Sequence, residues 1–289
     1  MSIEKEITTK HTDWEWEIKP ETSWFGIGFK EVYAYKDLLS RLTRKEFLGL
    51  YHQTLLGPFW ALLQPLLTVL TFVLVFNTVI GISTGGVPPF LYNLIGVTLW
   101  TLFSEIFLNV SKTFTQNAQV FSKVYFPRII VALSNLWLQF ILYGIQLILL
   151  AVVFLRYLVL GQIHVNPINI LLILPATIIT AGIGFGGGLI FSVLTAKYRD
   201  LLAIVQLIVR LLMFLCPIFY SLAMVPKKVK WLVELNPLSA QFEVFRFAFT
   251  GKGSVTEMQF LYSLVFMVVL VIGGVLLFNK MSDKLMDVI

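Results

Sequence analysis

The residues of this chain that could carry out chemistry are few and widely separated. Its three histidines are His11, His52 and His164, and its single cysteine, Cys216, lies in an apolar run. Zinc sites need several Cys, His or carboxylate ligands close together, and one cysteine cannot form an internal disulfide. We therefore predict no metal site and no catalytic site, and we interpret Cys216 as a small buried side chain.

The glycine-rich stretch at residues 182–188 is the segment that most invites comparison with a phosphate-binding loop. It lacks the Lys-Ser/Thr pair that such a loop needs, and it lies inside an apolar run. Gly182 and Gly186, like Gly184 and Gly188, are four positions apart, a spacing that lets helices approach closely. We predict close helix packing here, so any ATP that drives this protein is bound by another chain.

Two charged residues interrupt apolar segments. Glu105 and Arg210 would each cost roughly 2.5–3.5 kcal/mol at the centre of a bilayer, so each needs a partner or water. Both are expected at a similar depth in the cytoplasmic half. We hypothesise a Glu105–Arg210 ion pair, with two separate charges reaching toward water as the alternative.

The amino-acid composition indicates whether the chain folds in water or in a lipid bilayer. Apolar residues make up 57% of the chain and charged residues 13%, against about 25% charged in soluble domains. The mean hydropathy is +0.83. The basic residues behind the net charge of +6 are scattered over polar connections, which is typical of membrane topology and not of nucleic-acid binding.

The apolar segments predict an all-α integral membrane protein. Each is long enough to cross a hydrocarbon core of about 30 Å as a helix. The six predicted spans are residues 58–79, 90–110, 129–155, 168–195, 201–222 and 258–278. Lys and Arg are concentrated before span one, between spans two and three, between spans four and five, and after span six, so both termini are predicted to be cytoplasmic.

Residues 1–56 form a predicted cytoplasmic N-terminal segment that precedes the 57–289 transmembrane domain. Tyr35, Leu38, Leu39 and Leu42 recur at helical spacing, which predicts an amphipathic helix at the headgroup boundary. The stretch from residue 51 to 67 then leads into the first span, with Gly57-Pro58 at the start of a helix and Gln64-Pro65 about two turns further in.

The connection between spans five and six is too rich in pattern for a simple loop. Asn236-Pro237 is typical of a helix N-terminus, and Gly251 is typical of a helix end. Val229, Leu232 and Val233 form a first apolar stripe, and a second stripe is formed by Leu238, Phe242, Phe245 and Phe249. We predict two short amphipathic helices that dip back into the outer leaflet.

Several motifs, taken in order, resemble the type-2 ABC permeases that export O-antigen, teichoic acid and capsule-like polysaccharides. The first lies at the start of the transmembrane domain, as Tyr51-His-Gln-Thr-x-Leu-Gly-Pro-x-Trp-x-x-x-Gln-Pro65. The others are Asn117 followed by Lys123-Val-Tyr-Phe-Pro-Arg128, then Lys197-Tyr-Arg-Asp200, Cys216-Pro-Ile-Phe-Tyr220, Val225-Pro226, and Asn236-Pro-Leu238 followed by Arg246. The resemblance extends from about residue 36 to the end.

This resemblance implies a permease that works as a homodimer with two copies of a separate ATPase, which holds the ATP and Mg. It implies a coupling segment at residues 113–127, an interface helix near residues 36–46 and an outer gate at residues 223–250. Coupling residues would be Phe114, Asn117, Ala118, Phe121, Lys123 and Arg128. Interface residues would be Leu38, Leu42, Arg44 and Glu46, although Arg44-Lys-Glu46 replaces the commoner Arg-Asp pair. Outer-gate residues would be Trp231, Asn236, Pro237, Phe242, Phe245 and Arg246.

If the chain lines a passage for a polysaccharide, some of its aromatic residues are candidates for the lining. Aromatic rings offer broad surfaces to the C–H faces of sugars. Candidates for the lining are Phe59, Trp60, Phe72, Phe76, Phe214, Phe219 and Tyr220, with lipid or helix packing as the alternative for each.

The resulting functional expectation is export of a lipid-linked polysaccharide across a bacterial inner membrane. An ABC exporter of a lipid or small drug would share this topology. A membrane glycosyltransferase would need an acidic metal-binding pair that the sequence lacks, and a non-transporting scaffold would not need the charges within its spans.

Overall fold

The computed structural model describes residues 29–121, 126–198, 200–253 and 255–286. Within them every regular element is a helix. The N-terminal segment, Lys123 and Arg199 lie partly or wholly outside these ranges, so interpretations that depend on them stay predictions.

Two helices precede the transmembrane domain. Helix α1 spans Phe29–Ala34, and α2 spans Lys36–Tyr51, five residues beyond the predicted interface helix. Leu38, Leu39 and Leu42 pack against the protein core. The apolar stripe of α2 is therefore covered by the protein itself, mainly α6 (Ile129–Val159), instead of facing the headgroups as expected.

The first span is a composite helix. It begins as a 3₁₀ turn at Gly57–Phe59, continues as α3 over Trp60–Phe72, and ends in π-helical turns at Val73–Val79. Pro65 lies inside α3 and removes one backbone hydrogen bond there. Asn77 stabilises the π-helical end, because its side chain donates to the Ile82 carbonyl and accepts from Asn93.

The centre of the molecule is α4, Pro89–Ser111, which is the most buried of the long apolar helices. Helix α7, Ile173–Lys197, packs between α4 and α11, which spans Glu257–Met286. A Cβ added to Gly184 or Gly188 would meet α4, and one added to Gly182 or Gly186 would meet α11. The two predicted glycine pairs thus allow close packing on two sides of α7, as their spacing indicated.

Short helices connect the long ones. Helix α5, Thr113–Phe121, follows α4 on the side predicted to be cytoplasmic. Helix α8 spans Leu201–Leu215 and ends before the Cys216-Pro217 pair. After it come a 3₁₀ turn at Leu222–Met224, α9 at Lys227–Leu235 and α10 at Pro237–Thr250, so the outer segment does contain two short helices.

Five helical segments are long and apolar enough to cross a membrane, by length and composition. They are Gly57–Val79, Pro89–Ser111, Ile129–Val159, Pro167–Lys197 and Glu257–Met281. The predicted fifth span contains a helix of only 15 residues, seven residues shorter than expected at its outer end. Pro217 explains the difference, because a proline pushes the preceding residue out of the helical conformation, and Cys216 has an extended ψ of 142°.

Candidate functional site

Five of the seven predicted lining residues form one aromatic cluster. Phe219 stacks on Phe76 with ring centroids 4.1 Å apart. Phe72, Phe214 and Tyr220 meet the Phe219 ring edge-on at 5.7, 5.8 and 5.3 Å. The cluster joins the first span to α8 and the segment that follows it. Phe214 is 56% exposed and Phe219 is buried, so the cluster has a buried centre and an open edge.

Phe59 and Trp60 lie away from this cluster. Phe59 is 69% exposed and makes none of the ring contacts recorded for the described residues. Trp60 lines a separate polar cavity between α3, α4 and α6. Trp60 also shares a shallow groove of about 380 Å³ with Phe72, whereas Phe59 lines neither the groove nor the cavity.

A buried ion pair anchors the connection between spans five and six to the bundle. Arg246 of α10 donates to the Glu243 carboxylate at 2.6 Å, and both side chains are almost fully buried. Its second terminal nitrogen donates to the carbonyls of Pro217 and Ile218 at 2.5 and 3.4 Å. The guanidinium also lies 3.9 Å from the ring centroid of Tyr92 on α4. One side chain thus ties α10 both to α4 and to the non-helical backbone after α8.

Asn236 fixes the start of α10 as the sequence predicted. Its side-chain oxygen accepts from the Leu238 backbone N–H, and its side-chain nitrogen lies 3.2 Å from the Cys216 sulfur. Pro237 is the first residue of α10, and Phe242 and Phe245 are buried in the core. Trp231 of α9 differs, because 62% of its surface is exposed.

The apolar stripe of the coupling segment faces inward. Phe114 and Phe121 are buried, and the Phe114 ring stacks on Phe278 of α11 at 4.7 Å. They anchor α5 to the bundle and offer no free surface to a partner, so charge insertion at either would disturb the fold as well as any coupling. Half-buried Asn117 and Ala118 remain on the accessible side, together with exposed Gln116.

The rest of the coupling segment is only partly described. Asn117 has non-helical backbone angles and donates from its side chain to the Thr113 carbonyl. Lys123 lies outside the described residues. Arg128 is half-buried at the N-terminus of α6.

Helix α2 carries one perturbed carboxyl. Glu46 accepts from the Ser134 hydroxyl of α6 at 3.3 Å, and Thr43 donates toward the Ser134 carbonyl at 3.5 Å. Burial raises the pKa of Glu46 to about 7, although Ser134 and Lys45 each act in the opposite direction. Arg44 is exposed beside a groove of about 480 Å³ between α2 and α6.

Glu105 and Arg210, both in the described part of the chain, do not form the hypothesised ion pair. The Glu105 carboxylate accepts from the Asn109 side chain at 3.1 Å and lines the polar cavity. Arg210 lies on the exposed face of α8. The sequence indicated similar depth, but depth does not give the direction in which each side chain points around its helix.

Two features of the site were missed from the sequence. The polar cavity draws Gln139, Tyr143 and Gln146 from α6, which recur at helical spacing and so carried a detectable signal. Lys252 donates to the carbonyls of Gly85 and Gly86 at 2.9 and 3.3 Å, joining the loop after the first span to the loop after α10. That second contact links positions far apart in sequence, and no local pattern indicated it.

Known proteins match most of this chain. The ABC-2 type transporter family matches residues 37–250. An O-antigen export system permease protein, RfbA, of Klebsiella pneumoniae is 28% identical over 254 residues, which is 88% of this chain and 95% of the relative. The protein of the same name from Myxococcus xanthus is 25% identical over 216 residues, or 72% and 78% of the two chains. Because the family match covers well over half of the sequence, the chain belongs to the ABC-2 type transporter family.

Proposed function

We propose that this chain is the permease subunit of an ATP-driven exporter that moves a lipid-linked polysaccharide from the cytoplasm across the bacterial inner membrane. The relatives from Klebsiella and Myxococcus are named as O-antigen export permeases. The structural observation that carries the proposal is the aromatic cluster of Phe72, Phe76, Phe214, Phe219 and Tyr220. Its open edge offers sugar rings weak, broad contacts, which suit a moving polymer.

The proposed topology has six spans with both termini in the cytoplasm. Helix α8 alone covers about 22 Å at 1.5 Å per residue, less than a hydrocarbon core. Residues 216–222 complete the crossing. Non-helical backbone is tolerated at such depth only when its polar groups are satisfied within the protein. Arg246 supports this by donating to the carbonyls of Pro217 and Ile218.

A homodimer is proposed through the first span and α8, because one chain leaves both uncovered and because, unlike the equally uncovered α11, they carry the aromatic cluster. Only 11% of the most apolar stretch of Gly57–Val79 is buried. In α8 the buried residues are Val205 and Val209, whereas Leu207, Leu211 and Phe214 are exposed. These two elements also carry the aromatic cluster, so a second copy would bring two open edges together around one passage.

Energy would come from two copies of a separate ATPase, which would hold the ATP and Mg. Helix α5 is the proposed coupling helix, with Gln116, Asn117 and Ala118 toward the ATPase and Phe114 and Phe121 toward the bundle. Helix α2 is the proposed interface helix beside it, held to α6 through Glu46 and Ser134.

The experiment tests both assembly with an ATPase and the identity of the exported substrate. The chain is expressed together with a Walker-type ATPase from a neighbouring gene, in a strain that lacks its own copy of this permease and still makes the polymer. We expect the two chains to purify together and surface polymer to return, and we expect no return with an ATPase that cannot hydrolyse ATP. Assembly accompanied by drug or phospholipid efflux, with the polymer still inside the cell, would overturn the proposal.

A further inference from the structure

The cavity between α3, α4 and α6 has several polar side chains in a largely apolar wall, although it lies among membrane-spanning helices. It measures about 500 Å³, and its wall includes Gln64 of α3, Glu105 and Asn109 of α4, and Gln139 and Gln146 of α6. Such side chains are costly within a bilayer unless they meet polar partners. Three helices thus direct polar groups to one space, where a polar occupant would find hydrogen-bonding partners.

One of these groups is unpartnered. Gln146 is only 5% exposed, and its side-chain oxygen accepts no hydrogen bond in the structure. A buried acceptor left without a donor costs about 1–3 kcal/mol. Gln146 is one of the residues that line the cavity, so a rotation of its terminal amide would bring this oxygen to a hydroxyl-bearing occupant and relieve the cost.

The chemistry of the wall restricts the occupant. Glu105 is the one carboxylate among the described lining residues, and no Lys or Arg is among them. Phosphate, pyrophosphate and anionic headgroups are therefore disfavoured, since they are normally held by cations. Amides and a carboxylate instead suit an uncharged ligand with many hydroxyl groups, and the indoles of Trp60 and Trp100 add apolar surfaces for C–H faces.

The geometry points to a binding site for an uncharged sugar unit within each protomer, separate from the aromatic cluster. The wall of the cavity begins at Leu50 and Tyr51, at the end of α2, and continues along α4 to Val97. The site therefore extends from the cytoplasmic end of the first span into the bundle. It holds a sugar of the polymer on the cytoplasmic side of the aromatic cluster. This inference rests on the proposed function and assigns it a specific sugar contact.

Cysteine labelling tests the site in the assembled transporter. Thr68→Cys and Thr101→Cys place a thiol on the wall from α3 and from α4, and the native Cys216 is fully buried. Inside-out vesicles come from cells that make the lipid-linked polymer and from cells that do not, and a small hydrophilic methanethiosulfonate reagent is the probe. If the polymer occupies the site nine-tenths of the time, labelling should slow about tenfold. The labelling rate follows the unoccupied fraction of sites, which is the reciprocal of one plus the ratio of ligand concentration to Kd.

Two further variants make the result specific. Arg41→Cys lies on the exposed face of α2 away from the cavity, so polymer should leave its labelling rate unchanged. Gln146→Leu, added to Thr68→Cys, keeps the side-chain volume and removes the orphaned acceptor, so it should abolish protection without slowing labelling in vesicles without polymer. Loss of protection with unchanged accessibility is not expected from a merely structural residue.

Each other outcome overturns the inference. Equal labelling rates with and without polymer would show that the cavity holds only water. If neither wall variant were labelled, the cavity would be closed to the reagent. Equal slowing of Arg41→Cys means general shielding. Surface polymer is measured in the same cells: if export is intact while protection is absent, the sugar site fails and the proposed function stands. If the chain restores no export, both fail.

Discussion

Phe76 at the π-helical end of the first span and Phe219 after α8 stack face to face, with ring centroids 4.1 Å apart and planes within 5° of parallel. The stack joins the end of the first span to the break after α8, although the two residues are 143 positions apart in sequence. Phe72 packs edge-on against both rings, at 5.5 and 5.7 Å. A shift of either element must disturb this stack, so it is the natural place to test how the two elements act together.

Replacing Phe219 by alanine should lower both thermal stability and polymer export. The change removes one stacked and three edge-on ring contacts, and each aromatic pair contributes about 0.5–1.5 kcal/mol beyond area burial. The unfolding temperature of the purified complex and the surface polymer are the measurements. Phe59→Ala is the matched control, since Phe59 is exposed and should change stability little. Equal effects of the two substitutions would contradict a role for the cluster.

Replacing Arg246 by methionine should destabilise the protein strongly. The substitution removes the Arg246 partner of the buried Glu243 carboxylate, and breaking a buried pair in this way costs about 3–5 kcal/mol. Arg246→Met with Glu243→Leu should be less damaging than Arg246→Met alone, because both charges of the buried pair are then removed. Thermal unfolding of the three forms measures this.

The surface pair of α9 provides the control for the buried pair. Lys230 and Glu234 are 3.4 Å apart and well exposed, so Lys230→Gln should cost less than about 1 kcal/mol. If Lys230→Gln lowered stability as much as Arg246→Met, burial would not explain the importance of the Arg246 pair.

The contact between α2 and α6 should weaken as the pH rises. Burial raises the pKa of Glu46 from 4.5 to about 7, so the folded protein favours the protonated carboxyl. Between these values the folded state binds more protons than the unfolded state, and stability therefore falls with increasing pH until about pH 7 is passed. Glu46→Gln, which stays neutral, should flatten this part of the stability curve and be more stable than the wild type above it.

Unfolding temperatures measured from about pH 4.5 to 8 test whether stability falls as the pH rises. This range begins below the pKa of Glu46 in the folded protein. Asp37→Asn on the exposed side of α2 is the control and should leave the slope unchanged. A wild-type stability that rose through this range, or a slope that persisted in Glu46→Gln, would show that Glu46 is not the responsible group.

The coupling role of α5 is best tested on its accessible side. Gln116→Trp adds bulk at an exposed position, so it should lower transport and change the ATPase rate of the complex severalfold without lowering the unfolding temperature. Phe114→Asp should instead lower the unfolding temperature, because its ring is buried against Phe278. Unchanged ATPase activity and export in Gln116→Trp would argue against contact between this face and the ATPase.

Local sequence patterns predicted much of the fold. The apolar runs predicted the long helices, and Asn236-Pro237 and Gly251 predicted the two ends of α10, where Gly251 has the expected left-handed φ of 65°. The glycine pairs predicted close packing on α7 because their spacing alone determines which side they share. The early end of α8 also has a local cause, since Pro217 disfavours helix at Cys216, but the predicted span followed the apolar run to residue 222.

What failed depended on neighbours that no local pattern identifies. The resemblance assigned Phe114 and Phe121 to coupling, but contacts with distant residues, such as that of Phe114 with Phe278, bury both side chains in the bundle. Similar depth suggested Glu105 and Arg210 as partners, yet their helices direct them to a cavity and to an exposed surface. The aromatic cluster was predicted as a set of residue types, and its division from Phe59 and Trp60 required the fold.

Transport in a defined system tests the central claim most directly. Proteoliposomes are prepared with this chain, its ATPase and the lipid-linked polymer, with the ATPase facing outward, and a glycosidase that digests the polymer is added outside. ATP should transfer polymer to the interior and protect it from digestion, and omission of this chain should abolish the protection. Continued digestion of all polymer while the assembled complex hydrolyses ATP would contradict the account.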